Sequence, residues 1–128
     1  MPTQSSVHAA IDALTAAVFV GYPVYYGNTT VPKQTADYLK QDVIFISDNQ
    51  FELGNTTSGR VRGKVLFTFH NKRGTGSSVR NTWNQLVSTG FRSKVVGGAV
   101  LQNALASVAG ENENWAISVV EVPFYFDS

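Results

Sequence analysis

The chain has 128 residues, 43% of them hydrophobic and 12% aromatic, which suits one domain able to build a core without external staples. It has no cysteine and two histidines, so disulfide frameworks, thiolate metal sites and cysteine nucleophiles are excluded, and little is left for a zinc or haem centre. Charged residues make up 15% of the chain, against about 25% in isolated soluble domains, a deficit that suits a surface buried in an assembly.

The first predicted element is a helix over residues 5–19, where Val7, Ile11, Leu14 and Val18 form one apolar stripe. Ser5 or Ser6 is expected to cap its start, and Gly21 followed by Pro23 to end it. Residues 7–20 are apolar enough to raise a signal peptide. However, no basic segment precedes them, His8 and Asp12 interrupt the run, and no stretch reaches the ~18 apolar residues of a membrane span. The sequence therefore reads as a protein made in the cytosol. Val24–Tyr26 is a short strand, and residues 27–37 a polar loop broken by Pro32.

Residues 38–48 read as a strand with Leu39, Val43 and Phe45 on one side and Tyr38, Ile44 and Ile46 on the other; its second half is apolar on both faces, which predicts cover on both sides. After a turn-rich connection over 49–59 comes the clearest strand, residues 60–70. Val61, Val65, Phe67 and Phe69 alternate with Arg60, Arg62, Lys64, Leu66, Thr68 and His70, and Gly63 marks a bulge or a close backbone contact. A basic loop, residues 71–76, leads to a helix at about 77–89 with Val79, Trp83, Leu86 and Val87 on its apolar face, Gly90 as its stop and Phe91 folding back from beyond. Strands at 99–108 and 115–126 complete the chain, the second alternating Trp115, Ile117 and Val119 against Ala116, Ser118, Val120, Val122, Phe124 and Phe126. Trp83 and Trp115 both read as core. The expected architecture is α+β, a single domain over residues 1–128 with a mostly antiparallel sheet and two helices packed on one face.

The net charge of +1 conceals segregation: residues 1–52 carry −3, residues 53–110 carry +8 with no acid, and residues 111–128 carry −4. Three readings follow, in descending order: basic and acidic strands paired within one sheet, a subunit with oppositely charged faces for head-to-tail contacts, and a nucleic-acid surface.

The motifs that carry chemistry are weak. Gly74-Thr-Gly76 followed by serines lacks the third glycine of a dinucleotide fingerprint and the ending of a P-loop, so it reads as a strand-to-helix turn. Ser77 and His70 have no nucleophile elbow around them. Glu111 and Glu113 sit in a polar turn, and Asn28 and Asn55, though in glycosylation sequons, read as loop residues. No catalytic, cofactor-binding or metal-ligating set emerges.

The order of elements and several local patterns resemble the phage tail terminator family, typified by the tail terminator of phage lambda. The matching features are Pro23-Val-Tyr-Tyr-Gly-Asn28 with Pro32 soon after, Gly63 near the start of a long strand, Gly74-Thr-Gly76 before the helix through Trp83, and Gly110 to Trp115 before the last alternating strand. The chain departs in having Asn81 and Asn84 near the place of a mid-helix aspartate, and in lacking a proline before the Gly-x-Gly turn. The resemblance implies a non-enzymatic virion protein without cofactor: a ring, expected as a homohexamer, capping the tail tube of a long-tailed phage. Its implied partners are further copies of itself, the tail tube protein and head–tail connector proteins, with DNA passing through the ring without sequence-specific binding and no membrane. The candidate interface residues are Phe51, Leu53, Asn55, Arg60, Arg62, Lys64, Lys72 and Arg73. Rival readings are a head–tail connector or tail tube subunit, a nucleic-acid-binding module, which would need aromatic platforms on the basic face, and a small enzyme.

Overall fold

The computed structural model describes residues 3–27, 36–50, 59–72, 74, 78–111 and 115–127. The first helix, α1 (Gln4–Val18), buries Val7, Ile11 and Thr15 and half-buries Leu14 and Val18, the stripe that the sequence predicts. Its cap is Thr3 rather than Ser5 or Ser6. The Thr3 hydroxyl accepts from the Ser6 amide at 3.1 Å while the Ser6 hydroxyl accepts from the Thr3 amide at 2.9 Å, a reciprocal box that satisfies two otherwise unpaired donors. The helix ends before Gly21, as its sequence signals require.

The remaining elements are β1 (Val24–Tyr26), β2 (Tyr38–Gln50), β3 (Gly59–Lys72), α2 (Ser78–Phe91), β4 (Val95–Val96), β5 (Ala99–Leu101), β6 (Leu105–Glu111) and β7 (Trp115–Asp127). Among the described residues these strands form one sheet in the order β1-β2-β3-β7-β5-β4, with β6 also paired to β7. Only β1 runs parallel to its neighbour. The fold is thus α+β, a single domain that is mostly sheet.

Period-two alternation decides the core. Val65, Phe67 and Phe69 of β3 fall on the same face as Leu39 of β2 and Val120, Val122, Phe124 and Phe126 of β7, and all are buried. On this inner face lie Phe19, 5.8 Å from Phe67 between ring centroids, Phe91, 5.1 Å from Phe67, and Trp83, 5.4 Å from Phe69. Each fully buried aromatic ring contributes about 1.5–3 kcal/mol of transfer free energy. The buried Gln41 amide reaches α1, where its Nε2 donates to Asp12 Oδ1 at 3.1 Å.

Several sequence expectations are corrected. Gly90 does not stop the second helix, which continues through Phe91; it is where the two helices meet, since a Cβ there would come within 2.6 Å of Val18. The single strand expected over 99–108 is broken into β5 and β6, and β4 precedes it. The break falls opposite Pro123. The Gln102 amide donates to the Pro123 carbonyl at 2.8 Å, but proline returns no N–H on that side, so the ladder lapses for three residues before Leu105 resumes pairing with Glu121. Trp115 is not core: it lies half-buried on the outer face, 5.3 Å from Tyr38. Cover on both sides of the second half of β2 is not found among the described residues, where Ile44 and Ile46 on the outer face are 37% and 62% exposed.

Candidate functional site

The outer face of the sheet carries the cations that the sequence singles out. Arg60, Arg62, Lys64 and Lys72 alternate along β3 with the buried residues, so all four project away from the core. β7 runs alongside with Asp127 opposite Arg60, Tyr125 opposite Arg62 and Pro123 opposite Lys64, and Glu121 lies one step further along the same face. Arg60 donates to Asp127 Oδ1 at 2.9 Å and lays its guanidinium 4.3 Å over the Tyr125 ring. The Asp127 hydrogen bond raises the Arg60 pKa above its ordinary value. Lys64 reaches diagonally to Glu121 at 3.0 Å. The pairing of basic and acidic strands within one sheet, the first of the three charge readings, is therefore present. It leaves Arg62, exposed and with no carboxylate in ion-pair reach among the described residues.

Beside Arg62 the backbone is irregular for two reasons. β2 inserts one extra residue, Ile46, between Phe45 opposite Gly63 and Ser47 opposite Arg62, and this bulge thrusts Ile46 outward. Gly63 is required there: a Cβ would collide with the Ile44 carbonyl oxygen and lie 2.6 Å from the Phe124 ring, so the close contact foreseen at this glycine and the bulge occur together. The lapse of the ladder at Pro123 opens the other side. Between them runs a groove of about 320 Å³ lined by Ile46, Arg60, Arg62, Gln102, Pro123 and Tyr125.

At the other end of the same face the aromatics are occupied with one another. Tyr38 stacks on His70 with centroids 4.4 Å apart and planes within 4°, and Trp115 meets both edge-on. Burial lowers the His70 pKa below its ordinary value; the Lys40 charge acts the same way and the Thr68 backbone opposes them. Burial, reinforced by Tyr25, raises the Tyr38 phenol. Phe67 and Phe69, the aromatics of the basic strand, are wholly buried on the inner face and offer no stacking platform to a base.

Of the sequence-predicted interface residues, the structure brings Arg60, Arg62 and Lys64 together, with Lys72 at the far end of β3, where its amide donates to Asp37. Phe51, Leu53, Asn55 and Arg73 lie outside the described residues, as do Ser77, Glu113, the two sequon asparagines and most of the Gly-x-Gly turn. Sequence reasoning missed Gln102 and Tyr125 and did not place the bulge at Ile46; Gly63, which marks a bulge or a close backbone contact, and Pro123, a proline inside a strand, are the signals of the irregularity. Among the described residues no three metal-ligating side chains converge, and no helix is long and apolar enough to cross a membrane.

No family model and no curated protein matches this chain. Solved structures do: the chain is similar to one, whose name describes no activity, over 98% of this chain and 96% of that one, at 14% identity with a TM-score of 0.73. At that identity the likeness is one of fold, adopted over nearly the full length of both chains.

Proposed function

We propose that this chain is a structural subunit of the phage tail terminator type, assembling as a ring that caps the tail tube, ends its polymerisation and presents a surface for the head. The observation that carries the reading is the outer sheet face. A chain poor in charge leaves Ile44 and Ile46 exposed there beside Arg62, a mixed apolar and cationic surface of the kind buried when subunits meet. The local sequence patterns from Pro23 to Trp115 support the same reading. A ring needs heterologous contacts between unlike surfaces, and closed rings differ from open tubes only in whether the rotation per subunit closes.

Electron microscopy of the purified chain, alone and with tail tubes, tests this. Closed rings, or rings seated on tube ends, are expected; tubes built from this chain would make it a tube subunit instead. Tail length gives the second readout. Replacing residues 50–57 with a short Gly-Ser turn is expected to leave a folded protein whose tails grow abnormally long, and tails of normal length carrying the shortened subunit would sink the role of that connection.

A further inference from the structure

We infer that β6 of one copy of this chain hydrogen-bonds to β1 of the next, so that the sheet runs on from subunit to subunit. Strand register puts these two edges at one level. Val24, Tyr25 and Tyr26 of β1 stand opposite Leu39, Lys40 and Gln41 of β2, which face Phe69, Thr68 and Phe67 of β3. Those face Ser118, Val119 and Val120 of β7, and the rows end on Val108, Ser107 and Ala106 of β6. Three rows of residues thus cross five strands, with β1 at one edge and β6 at the other. An edge strand turns alternate N–H and C=O groups away from its sheet, a template for a further strand. Among the described residues β1 pairs with β2 alone and β6 with β7 alone.

Neither edge carries the charges or prolines that keep strands apart. Leu105, Ala106 and Ser107 are uncharged and all exposed, so this part of β6 is open on both faces. β1 is equally neutral, and pairing the two opposes no like charges and desolvates none. The edge at β4 differs, being two residues long and next to Lys94. Direction fits as well. β1 runs parallel to β2, and three antiparallel steps lead from β2 to β6, so β1 and β6 run oppositely. A copy turned about an axis along the strands keeps its direction and presents β1 to β6 as an antiparallel pair, with Tyr25 facing Ser107. Both residues lie in the row of Thr68 and Val119, so the inner and outer faces continue across the junction. Because the two edges differ, each copy offers one of each and the contact repeats from copy to copy. This pairing rests on the assembly reading above for its further copies and names the surfaces that meet.

Cross-linking of the full chain tests it. The chain holds no cysteine, and within one copy Tyr25 and Ser107 are four strand spacings apart, about 19 Å at ~4.8 Å each, beyond the reach of a disulfide. Tyr25→Cys with Ser107→Cys can therefore bond only between copies. Oxidised mildly, alone and with tail tubes, this double variant is expected to give multimers beyond dimer that reduction dissolves, and each single variant none beyond dimer. A double variant that forms rings by microscopy yet stays uncrosslinked overturns the pairing and keeps the terminator reading. Cross-linked multimers that grow into open tubes support the pairing and overturn that reading. A double variant with neither rings nor cross-links overturns the pairing, and the tail-length assay then decides the terminator reading alone. Melting curves establish that the variants fold, and proline supplies a second measurement should the double variant melt early. Neighbouring residues of a strand point their N–H groups to opposite sides, so one of Ala106→Pro and Ser107→Pro spares the ladder to β7 while removing an outward donor. That variant, the later-melting of the two, is expected to weaken self-association in sedimentation at least about tenfold; association like wild type overturns the contact.

Discussion

The two faces of the sheet are made by the same strands and obey opposite rules. On the inner face every position of β3 and β7 from Val65 to Phe69 and from Val120 to Phe126 is buried, and aromatic rings from Phe19, Trp83 and Phe91 interlock with them. On the outer face the intervening residues are half-buried or exposed, cations alternate with tyrosines and aliphatics, and the backbone departs from regular pairing at Ile46 and at Pro123. The contrast teaches that one face is committed to the core while the other mixes ion pairs within the sheet with exposed cations and aliphatics. A substitution on the first should therefore change stability more than one on the second.

Trp83→Ala is the strongest way to break the inner face. The indole is 1% exposed and meets Phe19, Tyr22 and Phe69 edge-on. Its removal should cost about 3–5 kcal/mol in urea or guanidinium unfolding, the range of large aromatic truncations. An unshifted denaturation midpoint would show that Trp83 does not hold the core.

Gly63→Ala strikes where the faces join. The added methyl would meet the Ile44 carbonyl oxygen, which is backbone and cannot swing aside, and the edge of Phe124. A loss of about 1–3 kcal/mol is expected, as for overpacking elsewhere, together with a shift of the β2 bulge that hydrogen exchange at Ile44 and Ile46 would register. Retention of both stability and exchange would mean that β2 and β3 separate there at no cost.

Much of the inner face was legible in the sequence because it depends on local periodicity. The alternation of Val61 to Phe69 and of Ser118 to Phe126, and the stripe through Val7 and Ile11, needed no knowledge of distant residues. Trp115 shows the limit of periodicity: its alternation sets it with Ile117 and Val119 on an apolar side, which reads as core, but that side is the outer face of the sheet. Gly90 was read as a stop because a helix–helix approach cannot be seen from one helix. The outer face was half legible. Sequence placed Arg60, Arg62 and Lys64 on one side, but which of them find carboxylates is set by the register of β3 on β7, a non-local fact.

That register makes a sharper comparison within the outer face. Arg60→Ala removes a pair at 2.9 Å and the cover of Tyr125, and Arg62→Ala removes a cation that has no carboxylate in ion-pair reach among the described residues. Surface pairs contribute little and are screened by salt, so Arg60→Ala should lower the melting temperature slightly and in a salt-sensitive way. Arg62→Ala should leave the melting curve unshifted. Equal effects from the two substitutions would erase the distinction between an arginine that pairs within the sheet and one that is exposed on it.

The smallest effect concerns the opposite end of the outer face, and its sign follows from burial. His70 stacks against Tyr38 with Trp115 across the edge, and burial holds its pKa below the ordinary value of 6.5. The folded protein therefore keeps His70 neutral while the unfolded chain takes up a proton more readily. Stability contributed by this site is fully present above the unfolded pKa, and it declines as pH falls from about 6.5 towards the folded value. Urea midpoints measured from pH 8 down to 5.5 in a His8→Gln background, where His70 is the only remaining histidine, should fall with acid. The fall should be smaller when His70 is also replaced by Gln, which carries no charge in this range. Parallel profiles with and without His70 would mean that this end of the outer face is as wet as the groove end. An excess loss in the parent would mark the Tyr38–His70–Trp115 cluster as a desolvated part of the fold, in contrast to the exposed Arg62 end of the same face.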